Sequence, residues 1–160
     1  MVLALLTTLA VIALRMILFV MDRPPEGTDF MLVHFMAIVT VVFFTGQAHL
    51  SRDIRTPFPD LLRDGFKHAA VYAVLYSAFI LVYYNTVEAD HFRLRVDRMV
   101  AQGMAEGQPE AVIRPRLTQF FTPFNYGTIT FFALLIVGAF NAFVLGLLHH
   151  KVMRRLRLKI

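Results

Sequence analysis

Histidine is the residue type in this chain that is best suited to bind a metal ion. Four of the six histidines fall at the ends of long apolar segments, namely His49, His68, His149 and His150. Imidazoles at one depth in a membrane could share a metal, because ligands converge in space rather than in sequence. The chain has no HxxH or HxxxH pair. The sequence therefore favours ordinary interfacial histidines, with a metal site as the alternative.

His34 lies inside the second apolar segment, near its start. A lone histidine on a membrane helix can bind haem iron or chlorophyll magnesium through a neutral imidazole nitrogen. No neighbouring residue strengthens that interpretation, so a hydrogen bond to another helix is favoured. Pigment or haem binding at His34 is kept as the alternative, and no cofactor is predicted.

Arg15 lies within the first apolar segment, six residues before its end. An ionisable side chain inside a membrane costs several kcal/mol and is a functional candidate for that reason. Arginine is long enough to reach the interface from one to two turns away. We therefore expect Arg15 to snorkel, with Asp22 and Asp29 as counter-charges, and keep a ligand or ion pathway as the alternative.

Sequence motifs for catalysis are missing from the chain. It has no cysteine, and so neither a thiolate nucleophile nor a cysteine metal site. It also has no Walker loop, no GxGxxG, no HExxH and no GxSxG. The sequence predicts that the protein is not an enzyme.

The composition is that of a membrane protein, with 58% hydrophobic residues, 17% charged residues and a mean hydropathy of +0.61. A helix needs about 20 apolar residues to cross a bilayer. Four segments meet this length and predict an all-α membrane domain over residues 1–160, with helices at about 1–21, 30–48, 59–85 and 125–150. The first segment has no basic region before it, so we expect a retained helix rather than a signal peptide.

The orientation follows from the lysines and arginines outside the four segments. Nine lie on the side that holds both ends of the chain, and six lie on the other side. Positive residues favour the cytoplasm, so we expect both termini to be cytoplasmic in a bacterial inner membrane, with residues 88–122 in the periplasm. The basic residues flank apolar segments, which favours anionic lipid over nucleic acid as the partner of the tail KVMRRLRLKI.

Residues 88–122 interrupt the apolar pattern between the third and fourth helices. Helical spacing of apolar residues predicts an amphipathic helix whose face could bind a partner, formed by Phe92, Val96, Met99, Val100 and Met104. Gly103 and Gly107 are expected to bracket its end. Pro109 can open a second, short helix that Pro115 should disturb. The segment is predicted to be an extramembrane amphipathic helical hairpin.

Small residues recur every four positions in the last two membrane helices. They are Gly138, Ala142 and Gly146 in the fourth helix, and Ala69, Ala73 and Ser77 in the third. Small side chains let helix backbones approach closely in lipid. The pattern favours packing of these two helices within one chain, with association between chains as the alternative. The tyrosines of these helices are assigned to an aromatic-rich membrane surface.

The order of these segments, with DGFKHAAVYAVLYSAFILVYYN entering the third helix and RMVAQGMAEGQPE in the polar insertion, resembles a known family. It is similar to the small four-helix bacterial inner-membrane proteins of a domain-of-unknown-function family common in Bacteroidetes and their relatives. The most telling residues are GFK at 65–67 and a QGM turn at 102–104. The resemblance extends from about Met1 to Arg155 and implies a fold and a location, but no activity.

Two functions of different classes follow. The favoured one is a non-catalytic accessory or structural subunit that stabilises a larger membrane complex, of the respiratory or photosynthetic type. The alternative is a small oligomeric transporter or channel whose path is lined by Arg15 and His34. Such a role more often uses broken helices or a charged pair at the midplane, which the sequence does not show.

Overall fold

The computed structural model of the protein describes residues 1–23 and 28–157, without the side chains of Thr28 and Asp29. It is helical, with no strand among those residues. The helices are α1 Val2–Val20, α2 Thr28–Arg52, α3 Phe58–Thr86, α4 His91–Ala105, α5 Glu110–Phe120, α6 Pro123–Leu148 and α7 Arg154–Arg157. A π-helical turn, His149–Met153, joins α6 to α7.

Four helical segments are long and apolar enough to cross a membrane, and they run Val2–Val20, Phe30–Arg52, Phe58–Thr86 and Pro123–Arg157. The predicted all-α fold with four such helices is therefore confirmed. The second helix continues past the predicted end at residue 48 to Arg52. The prediction followed the apolar residues, and the extension from residue 49 to Arg52 is the polar end of the same helix.

The chain divides into two compact units, one formed by residues 1–76 with 132–160 and the other by residues 77–131. In the first unit the buried core includes Ile38, Val41, Ala69, Tyr72 and Ala142. In the second unit Ile80, Tyr83, Tyr84, Phe92, Val96 and Val100 are buried. Each unit therefore has buried apolar residues of its own.

The end of α4 differs from the expectation at its two glycines. Gly103 is helical, and the QGM residues at 102–104 belong to α4 rather than to a turn. The turn follows at Gly107, whose φ is +84°. The Gln108 N–H donates to the Gly103 carbonyl (2.9 Å) and the Gly107 N–H donates to the Met104 carbonyl (3.0 Å). These two bonds end the helix as a Schellman motif, in which glycine adopts the left-handed conformation without strain.

Pro115, which is expected to disturb the second short helix, lies inside α5, and the helix continues past it to Phe120. Proline removes the hydrogen bond to the carbonyl four residues earlier, here that of Ala111. Ala111 is exposed, so its carbonyl can bond to water instead. The proline therefore weakens this helix without interrupting it.

Candidate functional site

Arg15 is buried, with only 4% of its surface exposed. Its guanidinium carbon lies 5.5 Å from the centroid of the Phe30 ring, at cation–π distance. The side chain is enclosed by the protein, and its snorkelling to the membrane interface stays a prediction. The predicted counter-charge Asp22 is exposed at the end of α1, and the side chain of Asp29 lies outside the described residues.

His34 packs against the same Phe30 ring that Arg15 contacts. Its ring centroid lies 4.9 Å from that of Phe30, edge to face. The Nδ1 atom lies 2.6 Å from the Tyr72 hydroxyl, at hydrogen-bond distance. The ring also packs edge-on against Tyr76 at 4.2 Å. The inter-helix hydrogen bond favoured by the sequence is therefore present, and it joins α2 to α3.

Together these side chains form a buried cluster of α1, α2 and α3, here called the arginine–histidine cluster: Arg15, Phe30, His34, Tyr72 and Tyr76. Tyr72 and Tyr76 stack with an interplanar angle of 6°. Both are buried, so their assignment to the membrane surface is wrong. The cluster combines a cation, an imidazole and a phenol, which can hold helices together or exchange a proton.

The sequence does contain a signal for the two tyrosines. Ala69, Tyr72, Ala73, Tyr76 and Ile80 are all buried and recur at helical spacing along α3. That spacing marks one face of the helix, and the small residues within it indicate a neighbouring backbone. Following this face would have assigned Tyr72 and Tyr76 to the interior.

The four histidines proposed as a metal site have separate partners. His49 Nε2 lies 2.9 Å from the Asp64 carboxylate. His68 lies 2.7 Å from the Asp64 carbonyl oxygen and 2.7 Å from the Met1 amino group. Among the described residues no group of three or more His, Cys, Asp or Glu side chains could hold a metal ion. The four-histidine metal site, which was the alternative, is therefore not assembled, because each ring is directed to a different contact.

His149 is the most buried of the four and lies where α6 passes into the π-helical turn. Its Nδ1 atom lies 2.7 Å from the Leu145 carbonyl oxygen. The ring packs against α2 at Gly46, where an added Cβ would come within 2.7 Å of Nδ1. His150 instead faces the ring of Phe58, with 6.1 Å between the centroids. His149 thus acts as a packing residue between two membrane helices.

The small residues of α3 and α6 make contacts within the chain. A Cβ added at Gly138 would lie 2.8 Å from the Cβ of Ala69. One added at Gly65 would lie 3.4 Å from the Cβ of Ala142, and one at Gly146 would lie 3.2 Å from the Phe58 ring. These are the close approaches that the favoured prediction of intrachain packing requires. Ala73 and Ser77 are buried as well, Ser77 in the second unit.

The partner face predicted on α4 is divided by the structure. Phe92, Val96 and Val100 are buried within their own unit, so they are not available to a partner in this conformation. Met99 and Met104 remain accessible, with 37% and 50% of their surfaces exposed. The predicted partner face is smaller than expected because most of its apolar residues pack against other parts of the same chain.

The base of α4 is attached by aromatic rings. Phe92 lies 4.8 Å from Tyr84 and 5.8 Å from Tyr126, between ring centroids. Next to them His91 Nδ1 lies 2.8 Å from the Glu88 carboxylate. These contacts join the ends of α3, α4 and α6 within residues 77–131.

Ion pairs join α4 to α5. Arg114 donates to Asp97 across the two helices and to Glu110 along α5, with both distances 2.6 Å. These hydrogen bonds, first that to Asp97, raise the pKa of Arg114 above its ordinary value. Gly103 is also in close contact, because a Cβ there would lie 2.7 Å from Ile113 Cδ1. The two helices therefore form a defined pair, here called the α4–α5 pair.

The basic end of the chain folds back on α2. Arg157 donates to the Gln47 side-chain oxygen at 2.6 Å and to the Ser51 hydroxyl at 3.0 Å. Lys151 and Arg155 are exposed beside it. The last three residues of the predicted lipid-binding tail, 158–160, lie outside the described residues. Comparisons of the chain with protein-family models, with curated proteins and with solved structures give no match.

Proposed function

We propose that this protein is a non-catalytic accessory subunit of a larger complex in the bacterial inner membrane, of the respiratory or photosynthetic type. The observation that carries the proposal is that the polar side chains inside the apolar helices contact other helices of the same chain. His34 bonds to Tyr72, and Arg15 stacks on Phe30 beside it. Polar groups paired across helices stabilise a membrane bundle, which is the property that a scaffold subunit needs.

The proposal includes a topology and lipid contacts. Both ends of the chain would lie in the cytoplasm, and the α4–α5 pair would lie in the periplasm as the extramembrane amphipathic hairpin. The excess of lysine and arginine on the side of the termini supports this orientation. Lys151, Arg154 and Arg155 would bind anionic lipid headgroups. Membership of the four-helix family that the chain resembles belongs to the same proposal.

Cysteine labelling tests the topology and the subunit role together, because the chain has no cysteine of its own. Ala111→Cys and Arg155→Cys alter two exposed positions, one in α5 and one in α7. We expect a membrane-impermeant maleimide to label position 111 in intact spheroplasts and position 155 only after lysis. A maleimide photocrosslinker at position 111 should then give one discrete adduct with a different membrane protein.

Three results would contradict this proposal. Labelling of position 155 before lysis would reverse the topology. If the maleimide labelled position 111 neither in intact spheroplasts nor after lysis, α5 would lie in lipid. Adducts at position 111 that contain only this chain, or none at all, would exclude a heterologous partner at the hairpin.

The arginine–histidine cluster supports a second candidate function, an oligomeric transporter or channel. Arg15 and His34 are the two residues assigned to its path, and both contact Phe30. In proteoliposomes this function predicts proton or chloride flux that Arg15→Leu abolishes and Arg15→Lys partly retains, with the thermal stability unchanged. Wild-type vesicles that conduct no faster than protein-free vesicles would exclude it.

A further inference from the structure

An open groove of about 360 Å³ runs along one side of the α4–α5 pair. Its lining includes the apolar residues Met99, Ile113 and Leu117 together with Gln102 and Gln108. Two side chains of opposite charge, Glu106 and Arg116, line it as well. Arg116 makes no ion pair within residues 1–23 and 28–157, and Glu106 accepts only a 3.3 Å hydrogen bond from Gln102. The groove therefore carries exposed apolar surface and two available charges.

The two charged residues stand at equal distances along the chain from a close contact of the helices. That contact is between Gly103 and Ile113. Glu106 follows Gly103 by three residues towards the turn, and Arg116 follows Ile113 by three residues away from it. At 1.5 Å per residue each charge is displaced by about 4.5 Å along the pair, in opposite directions.

A two-fold axis through the Gly103–Ile113 contact would exchange these two positions. In an isologous dimer the same surface is used twice, so that residue i of one copy meets residue j of the other and the reverse. Two copies facing each other in this way bring Glu106 of each to Arg116 of the other. Their Met99 and Leu117 side chains meet at the centre, and methionine adapts readily to such an apolar contact.

We propose that the groove of the α4–α5 pair binds a second copy of this chain, with two reciprocal Glu106–Arg116 ion pairs around an apolar centre. The charge arrangement selects this occupant, because a groove with its own two charges related by a two-fold axis is complementary to itself. The inference depends on the proposed placement of the pair outside the membrane. It does not depend on the presence of a heterologous partner.

Charge reversal tests the reciprocal ion pairs, because only such pairs are lost in each single variant and restored in the double variant. Glu106→Arg alone sets arginine against arginine at both contacts, and Arg116→Glu alone sets glutamate against glutamate. We expect each variant to weaken the dimer at least tenfold in sedimentation equilibrium of the full chain in a density-matched mild detergent. The double variant Glu106→Arg/Arg116→Glu should restore the wild-type dissociation constant to within about threefold, because attraction is re-established at both contacts.

Mixing the two single variants is the decisive arrangement. A Glu106→Arg chain and an Arg116→Glu chain attract each other at both contacts, so differently tagged copies should form a mixed dimer although neither pairs with itself. The matched control is Arg98→Glu, which makes the same charge change at an exposed arginine of α4 outside the groove. This variant should dimerise like the wild type.

A wild-type chain that remains monomeric at all concentrations would overturn the inference, as would single variants that do not combine. Unchanged helical content in circular dichroism distinguishes lost pairing from lost folding, and the double variant reports pairing even if one single variant is unstable. If the chain does not dimerise, the crosslinking of position 111 to a different protein still tests the accessory role. Failure of that adduct, with mixed dimers intact, removes the accessory role alone.

Discussion

Replacing Gly138 by valine is expected to lower the free energy of unfolding of the membrane bundle by about 1–3 kcal/mol, the usual cost of inserting methyl groups into a packed core. The first added carbon would lie 2.8 Å from the Cβ of Ala69, closer than two carbons can approach. Helices α3 and α6 must therefore move apart along their contact. Reversible unfolding in mixed micelles, followed by circular dichroism, measures the change.

The steric cause is tested by compensation. Ala69→Gly removes the very Cβ that the valine would meet, so Gly138→Val with Ala69→Gly should be more stable than Gly138→Val alone. This holds even though glycine in a helix costs about 1 kcal/mol by itself. Ala139→Val is the matched control, since Ala139 is the exposed neighbour of Gly138. If Gly138→Val is as stable as Ala139→Val, the close packing of these helices is excluded.

The second large effect is expected at the hydrogen bond between His34 and Tyr72. Tyr72 is fully buried, and its hydroxyl lies 2.6 Å from His34 Nδ1. His34→Leu would leave that hydroxyl without this partner, at an expected loss of about 1–2 kcal/mol in unfolding free energy. Tyr72→Phe removes the other half of the same bond and should cost a similar amount.

A double-mutant cycle separates this bond from other effects. Once one partner is gone, removal of the second should cost little, so His34→Leu/Tyr72→Phe should be about as stable as the weaker single variant. Tyr126→Phe is the control, because that tyrosine is partly exposed and belongs to the other unit. Losses that simply add would mean that the two side chains do not interact.

The helices were predictable from the sequence because length and hydropathy alone determine which segments can cross a bilayer. Residues 1–21 and 59–85 were expected to be helical, and the structure has helices at Val2–Val20 and Phe58–Thr86. Which face of each helix is buried was harder to predict. In lipid, an apolar residue is equally suited to the bundle interior and to the acyl chains, so hydropathy does not distinguish the two. The tyrosines of α3 were misassigned for this reason.

The arginine–histidine cluster shows the same limit for the candidate site. Arg15 and His34 were both identifiable, since polar residues inside apolar segments are conspicuous. Their common contact with Phe30 depends on how α1 and α2 are rotated about their axes. Similarly, the apolar stripe of α4 was visible in the sequence. Its division into buried Phe92 and exposed Met104 depends on what packs against the helix.

The π-helical turn at His149–Met153 determines the direction of the basic residues that follow it. A π turn accommodates one more residue than an α turn, and one residue corresponds to about 100° of rotation around a helix. Without that extra residue, Arg157 would be carried about a quarter-turn or more away from Gln47 and Ser51, which it now contacts. A single-residue deletion in this turn would therefore redirect the positive charges of the tail without altering any of them.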